Sequence, residues 1–233
     1  KLRLCEPDGE GPLQAFLQDA ARRHGVWLIG GTIPLAGSDP GRVKNAILVF
    51  DDTGQRVARY DKIHLFGFSK GAERYDEAAT IEPGREVVTF DSPCGKVGLS
   101  VCYDLRFPEL FRALGEVDLI VLPAAFTYTT GRAHWEVLLR ARAIENQCYV
   151  LASAQGGRHP SGRRTWGDSM IMVNVDGVRV VNEKAPYHDR AQAHFHFDPT
   201  EKRYKNQVLI QIYDRYVAET VEPLSCDWSV RAP

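Results

Sequence analysis

The chain has 233 residues, 44% of them hydrophobic and 25% charged, which is enough apolar material for one sizeable core and fits a single layered α/β domain. With 29 basic against 30 acidic side chains the formal net charge is −1, so there is no one-signed field to draw a nucleic acid or an anionic membrane surface, and a small molecule is the expected partner. No apolar run is long enough to cross a bilayer, residues 1–12 hold no signal-peptide core, and the five scattered cysteines lack C-x-x-C spacing; neither a disulfide framework nor a zinc knuckle is expected, and a reducing compartment, cytoplasmic or an organelle matrix, fits best.

In chain order, Pro12 opens a helix whose apolar residues Leu13, Phe16, Leu17 and Ala20 follow helical spacing, with His24 in the last turn and Gly25 as the stop. Residues 26–29, bounded by glycines, read as a buried strand, and residues 46–50 as another, joined through turn chemistry at 51–54 to a hairpin partner over 56–60. Residues 67–84 are polar and glycine-punctuated and read as a long loop of functional interest. Strand character resumes at 87–90, 96–101 and 117–122, and an amphipathic helix over 131–146 carries Trp135, Leu138 and Leu139 on one side, with Arg140 and Arg142 elsewhere around the turn. Strands at 149–154, 169–175, 178–181 and 193–197 follow, with Asp176-Gly177 as a hairpin turn and a short helix over 199–207. Strands with interleaved helices indicate an α/β layered domain, and the hairpins make its sheets mixed. Residues 1–216 form the domain and 217–233 an extension.

In Gly98-Leu99-Ser100-Val101-Cys102-Tyr103-Asp104-Leu105-Arg106-Phe107-Pro108 an apolar alternating run stops at a lone cysteine and a proline then lets a helix begin. The thiol is thus presented at a strand-to-helix corner, where the positive end of a helix and a nearby cation would favour the thiolate. The plainer reading of Cys102 is a small buried apolar side chain.

Three ordered blocks, Tyr60-Asp61-Lys62-Ile63-His64-Leu65-Phe66, then Glu77 ahead of Glu82-Pro83-Gly84, then Val101 through Leu110 around Cys102, resemble the lysine, second-glutamate and cysteine blocks of the nitrilase superfamily of carbon-nitrogen hydrolases. Residues 131–145 and Gln155-Gly156-Gly157-Arg158-His159 are similar to the branch of deaminated-glutathione amidases and omega-amidases. The resemblance implies a four-layer αββα sandwich, subunits that pair into a homodimer or larger homo-oligomer, and a cofactor-independent amidase. It makes Cys102 the nucleophile and gives Lys62, with the backbone N–H of Tyr103, the tetrahedral oxyanion; Glu77 positions the lysine or the substrate. Outside the motif, Lys62 reads as a surface lysine and Glu77 as a loop carboxylate facing water. The family's general-base glutamate belongs upstream of the segment that residues 1–11 resemble, together with the first strand and helix. Glu6 and Glu10 are the nearest carboxylates, and neither takes that role.

Arg158 and Arg106 are candidates for a substrate carboxylate, with Arg106 more simply paired to Glu109. His194 and His196 would share a strand face without the partners a metal needs, and a papain-like pairing of Cys102 with His134 or His159 leaves the lysine block unexplained. Gly30-Gly31 has no phosphate-loop pattern after it. The sequence therefore points to hydrolysis of a small carboxylated amide, deaminated glutathione by resemblance, to acid and ammonia through a Cys102 thioester. Two rivals are an inactive scaffold that keeps the fold and a nitrilase acting on nitriles. A mitochondrial address would need an upstream leader.

Overall fold

The computed structural model describes residues 1–70, 73–173, 179–182, 197–198 and 203–204. Helix α1 spans Pro12–His24 and stops at Gly25, whose left-handed backbone (φ 58) lets its amide reach the carbonyls of Ala21 and Arg22. The Glu6 carboxylate accepts hydrogen bonds from the first-turn amides of Leu13 (2.6 Å) and Gln14 (3.2 Å), which have no partner within the helix. The buried stripe is Leu13, Leu17 and Ala21, whereas Phe16, expected on it, stands 69% exposed; Phe16 and Leu17 both fit helical spacing from Leu13, and only one of them faces the sheet.

Strands β1 (Leu28–Ile29), β2 (Ile33–Ala36), β3 (Val43–Phe50) and β4 (Arg56–Asp61) form the first sheet. β1 and β2 pair antiparallel with successive stretches of β3, and β4 pairs with it as a hairpin. The strand expected over 26–29 is only two residues long and half-buried, with Val26 exposed, because β1 holds the edge of this sheet. β2 was not expected from sequence. The expected loop 67–84 contains a two-stranded ribbon, β5 (Gly67–Lys70) with β6 (Glu73–Asp76), followed by fully buried Ile81 bridged to Val43.

The second sheet has strand order β14-β13-β10-β9-β8-β7, from β7 (Thr89–Ser92), β8 (Gly95–Leu99), β9 (Leu119–Val121), β10 (Tyr149–Ala152), β13 (Met170–Val173) and β14 (Arg179–Asn182). β8, β9 and β10 run parallel, connected through α2 (Pro108–Ala113) and α3 (Tyr128–Asn146). An antiparallel ribbon, β11 (Gly156–Arg158) with β12 (Arg164–Trp166), sits between β10 and β13 in sequence. Arg142 of α3 is buried at 5% exposure, hydrogen-bonding the Leu105 carbonyl through Nε (3.1 Å) and Nη2 (2.8 Å) over the Phe111 ring, so this arginine does not belong to a solvated face. Residues 203–204 pair as a strand with Phe197–Asp198, which corrects the helix expected over 199–207; Phe197 and Tyr204, both strand formers, occupy opposed positions. The Asp176-Gly177 turn, His194, His196, Cys226 and the extension 217–233 lie outside the described residues.

Period-2 alternation sorts the side chains into four layers. Ala46, Leu48 and Phe50 face α1, while Ile47 and Val49 face the second sheet. Val97, Leu99, Val121 and Leu151 answer them across the interior, and Ile120, Leu122 and Val150 turn outward onto Trp135, Leu139 and Phe111 of the helices. The result is the αββα sandwich, with the carboxyl ends of three adjacent parallel strands opening at one edge, the place where layered α/β folds bind ligands.

Candidate active site

Beyond β8 the chain keeps pairing with its neighbour: the Ser100 amide donates to the Val121 carbonyl and the Cys102 amide to that of Pro123, both at 3.0 Å. Cys102 then turns to φ 50 and begins a 3-10 turn over Cys102–Arg106, ahead of α2. A left-handed backbone at a residue with a Cβ costs about 1–3 kcal/mol and persists only where its surroundings enforce it. The surroundings here are a buried carboxylate.

Asp104 is fully buried, and each of its oxygens accepts two hydrogen bonds: Oδ2 from the Val101 amide (2.8 Å) and the Tyr60 hydroxyl (2.7 Å), Oδ1 from the His64 amide (2.9 Å) and His64 Nδ1 (2.8 Å). Val101 precedes the thiol, whereas Tyr60 and His64 flank Lys62, so one side chain ties the cysteine corner to the lysine segment. The His64 ring also stacks on Phe107 at 3.7 Å between centroids. Burial, then the Asp104 charge and hydrogen bond, push the Tyr60 hydroxyl up and keep it a donor. Sequence reasoning missed Asp104. Its signal was an aspartate three residues after the last extended residue, the spacing at which a side chain reaches back to cap a backbone amide.

Lys62 continues from β4 into the interior and is 1% exposed, which overturns its reading as a surface lysine. Its amide donates to the Asn45 carbonyl (3.0 Å), and its carbonyl accepts from the Gly84 amide (2.8 Å). Gly84 must be glycine there, since a Cβ would fall 2.0 Å from the Asp61 carbonyl oxygen. The Lys62 ammonium donates to Glu77 Oε2, which also accepts the Phe66 amide (2.8 Å), and the Glu77 amide returns a bond to the Phe66 carbonyl (3.0 Å). Glu77 is therefore not a loop carboxylate facing water.

Cys102, Lys62, Glu77 and Tyr103 line one cavity of about 570 Å³ at the carboxyl ends of β8, β9 and β10. Among the described residues Glu77 is the one carboxylate in its wall. Burial pushes the Cys102 thiol up, and the Lys62 charge, the Ala125 amide and the Arg163 charge pull it back. The net direction is upward, the reverse of the activation expected from the corner alone, because the thiol is desolvated. The shift favours the thiol over the thiolate, with the Lys62 cation opposing it.

The remaining candidates fall elsewhere. Arg158 is exposed on the β11–β12 ribbon and does not line the cavity; Arg163, five residues on, does. Arg106 meets His134 Nδ1 at 3.2 Å and forms no ion pair with Glu109 among the described residues. His159 bonds Thr165 Oγ1 at 2.7 Å, so neither histidine of a papain-like pairing is in the cavity wall. Glu6 caps α1 and Glu10 is exposed. Among the described residues no cluster of ligating side chains could hold a metal, and no helix is long and apolar enough to cross a membrane.

A corner cysteine and a buried lysine at the mouth of an αββα sandwich define a class, and comparison with known proteins agrees. Residues 3–184 match the carbon-nitrogen hydrolase family, and the chain belongs to it. It is 42% identical over 235 residues to a deaminated glutathione amidase of Yersinia enterocolitica, covering 95% of this chain and 78% of that protein. The crystal structure of the NitFhit protein of C. elegans superposes with a TM-score of 0.66 at 43% identity, covering 72% of this chain and 42% of that one. A mutant of the amidase from Nesterenkonia sp., seen with acrylamide added at its active-site cysteine, superposes with a TM-score of 0.62 at 26% identity, covering 72% of this chain and 63% of that one. The chain spans less than two thirds of the length of both those solved proteins.

Proposed function

We propose that this protein hydrolyses a small carboxylated amide, of the kind exemplified by deaminated glutathione, with Cys102 as the nucleophile. The observation that carries the reading is the convergence of the Cys102 corner and the buried Lys62 ammonium, from separate sheets, on one cavity wall. Sulfur attacks the amide carbonyl, and the oxyanion that forms is met by the Lys62 ammonium and the Tyr103 backbone N–H. Collapse expels ammonia and leaves a thioester, which water hydrolyses to the acid. Glu77 Oε2 is committed to Lys62 and Phe66, so Glu77 holds the ammonium in place. The proton lost by the thiol ends on the departing ammonia, a transfer that the resemblance gives to a general-base glutamate, and no described residue is assigned that role.

A dry, fixed cation is worth more to a developing charge than a solvated one. Lys62→Met is expected to lower the rate of ammonia release roughly 10²- to 10³-fold, the usual cost of one oxyanion donor, with the circular dichroism spectrum unchanged. Full ammonia release by this variant would refute the assignment, and no release from the unaltered protein with any carboxylated amide would favour the scaffold.

A further inference from the structure

The ribbon β11–β12 carries arginines on both of its faces. Arg158 and Arg164 are directly opposed in register and therefore share one face, where Arg164 stacks 3.6 Å over the Tyr128 ring. Arg163, one residue before Arg164, takes the other side with buried Thr165 and enters the cavity wall. The turn fixes it there: the His159 amide donates to the Arg163 carbonyl at 2.8 Å, and His159 Nε2 meets Thr165 Oγ1.

The guanidinium has little to do for the fold. Its Nη2 donates to the Ala125 carbonyl at 2.8 Å and its plane lies 5.2 Å from the Tyr75 ring centre, yet Nε is buried without a hydrogen-bond partner, and no carboxylate pairs with the group among the described residues. A buried donor left unmade is costly, and a planar fork of N–H groups is matched by two carboxylate oxygens. Ala125 also ties the group to the chemistry, since its carbonyl holds Arg163 and it lines the same cavity wall as Cys102. Resting on the amidase reading, we propose that Arg163 binds the carboxylate of the substrate, so that the site selects amides carrying a carboxylate a few bonds from the scissile carbonyl. Of the cations in the cavity wall, Lys1, Lys62 and Arg163, Lys62 faces the reacting carbonyl beside Glu77, and Arg163 alone presents a planar fork that matches two carboxylate oxygens.

The test uses the full chain and two amides of one shape, succinamate and uncharged butyramide, as protectants of Cys102 against iodoacetamide, read by peptide mass, with ammonia release measured on the same samples. The unaltered protein is expected to be protected by succinamate at a concentration at least roughly tenfold below that of butyramide. Arg163→Leu should reduce this preference by roughly tenfold or more, leaving the two amides nearly equal, as expected on losing a hydrogen-bonded contact to a charged group, while Arg163→Lys, which keeps the charge without the fork and serves should the leucine variant misfold, should retain part of it. A preference unchanged within twofold in either variant, or none in the unaltered protein, overturns the proposal. Carboxylate-dependent protection without ammonia release would uphold Arg163 and refute the amidase reading; ammonia release without carboxylate preference would do the reverse.

Discussion

Replacing Asp104 by asparagine keeps the shape of the side chain but turns one of its two acceptor oxygens into a donor. Both oxygens receive a backbone amide, Val101 on one side and His64 on the other, so either orientation of the new amide sets an NH2 group against a backbone N–H that cannot rotate away. The Tyr60 hydroxyl can reverse; the backbone cannot. One stranded backbone donor costs about 1–3 kcal/mol, and the surviving bonds lose the strengthening of a charged acceptor, for a total of about 2–4 kcal/mol. For a chain of this size that corresponds to a fall in melting midpoint of about 5–15 °C. Differential scanning calorimetry of Asp104→Asn, Tyr60→Phe and the double variant measures it. Tyr60→Phe removes one bond of four to the buried carboxylate and should cost about 1.5–3 kcal/mol, and the double variant should depart from additivity by more than about 0.5 kcal/mol because the two groups touch. A midpoint for Asp104→Asn within about 1 °C of the unaltered protein would refute the claim that this carboxylate holds the corner to the lysine segment.

Two further outcomes follow from the segment that backs Lys62. Gly84→Ala forces a methyl to within 2.0 Å of the Asp61 carbonyl oxygen, so it should destabilise the protein by about 1–3 kcal/mol and lower the rate of ammonia release as Lys62 shifts with its neighbour; unchanged urea midpoint and rate would count against this. Lys44, with the Ser38 hydroxyl and the amides of Ser38 and Asp39, holds the Glu82 carboxyl down at about 2 against an ordinary 4.5. A folded value below the unfolded one gives stability that is present above pH 4.5 and lost as the pH falls toward 2, so Glu82→Gln should flatten the decline of the urea midpoint in that window, and a slope identical to that of the unaltered protein would contradict the pairing.

Much of this was legible in the residues. Helix α1 follows from Pro12 and Gly25, the two ends that sequence marks most clearly, and strand β3 from its unbroken apolar run. β2 escaped because Pro34 interrupts a short stretch that is intelligible only once paired with β3. The β5–β6 ribbon escaped because a two-stranded ribbon needs no buried alternating face. At the site, Cys102, Lys62 and Glu77 were visible in ordered blocks. Arg163 was not, because three arginines lie within seven residues and only the register of a hairpin decides which one turns inward. The direction of the Cys102 shift was hidden too, since desolvation depends on how deeply the corner sits between the sheets.

The central claim is covalent, so the most direct measurement is the mass of the peptide containing Cys102 after rapid acid quenching of the full-length protein with succinamate. The account predicts an increase equal to the amide less ammonia, absent from Cys102→Ala, which should also release no ammonia. Ammonia formed without the adduct, or by the alanine variant, would contradict it.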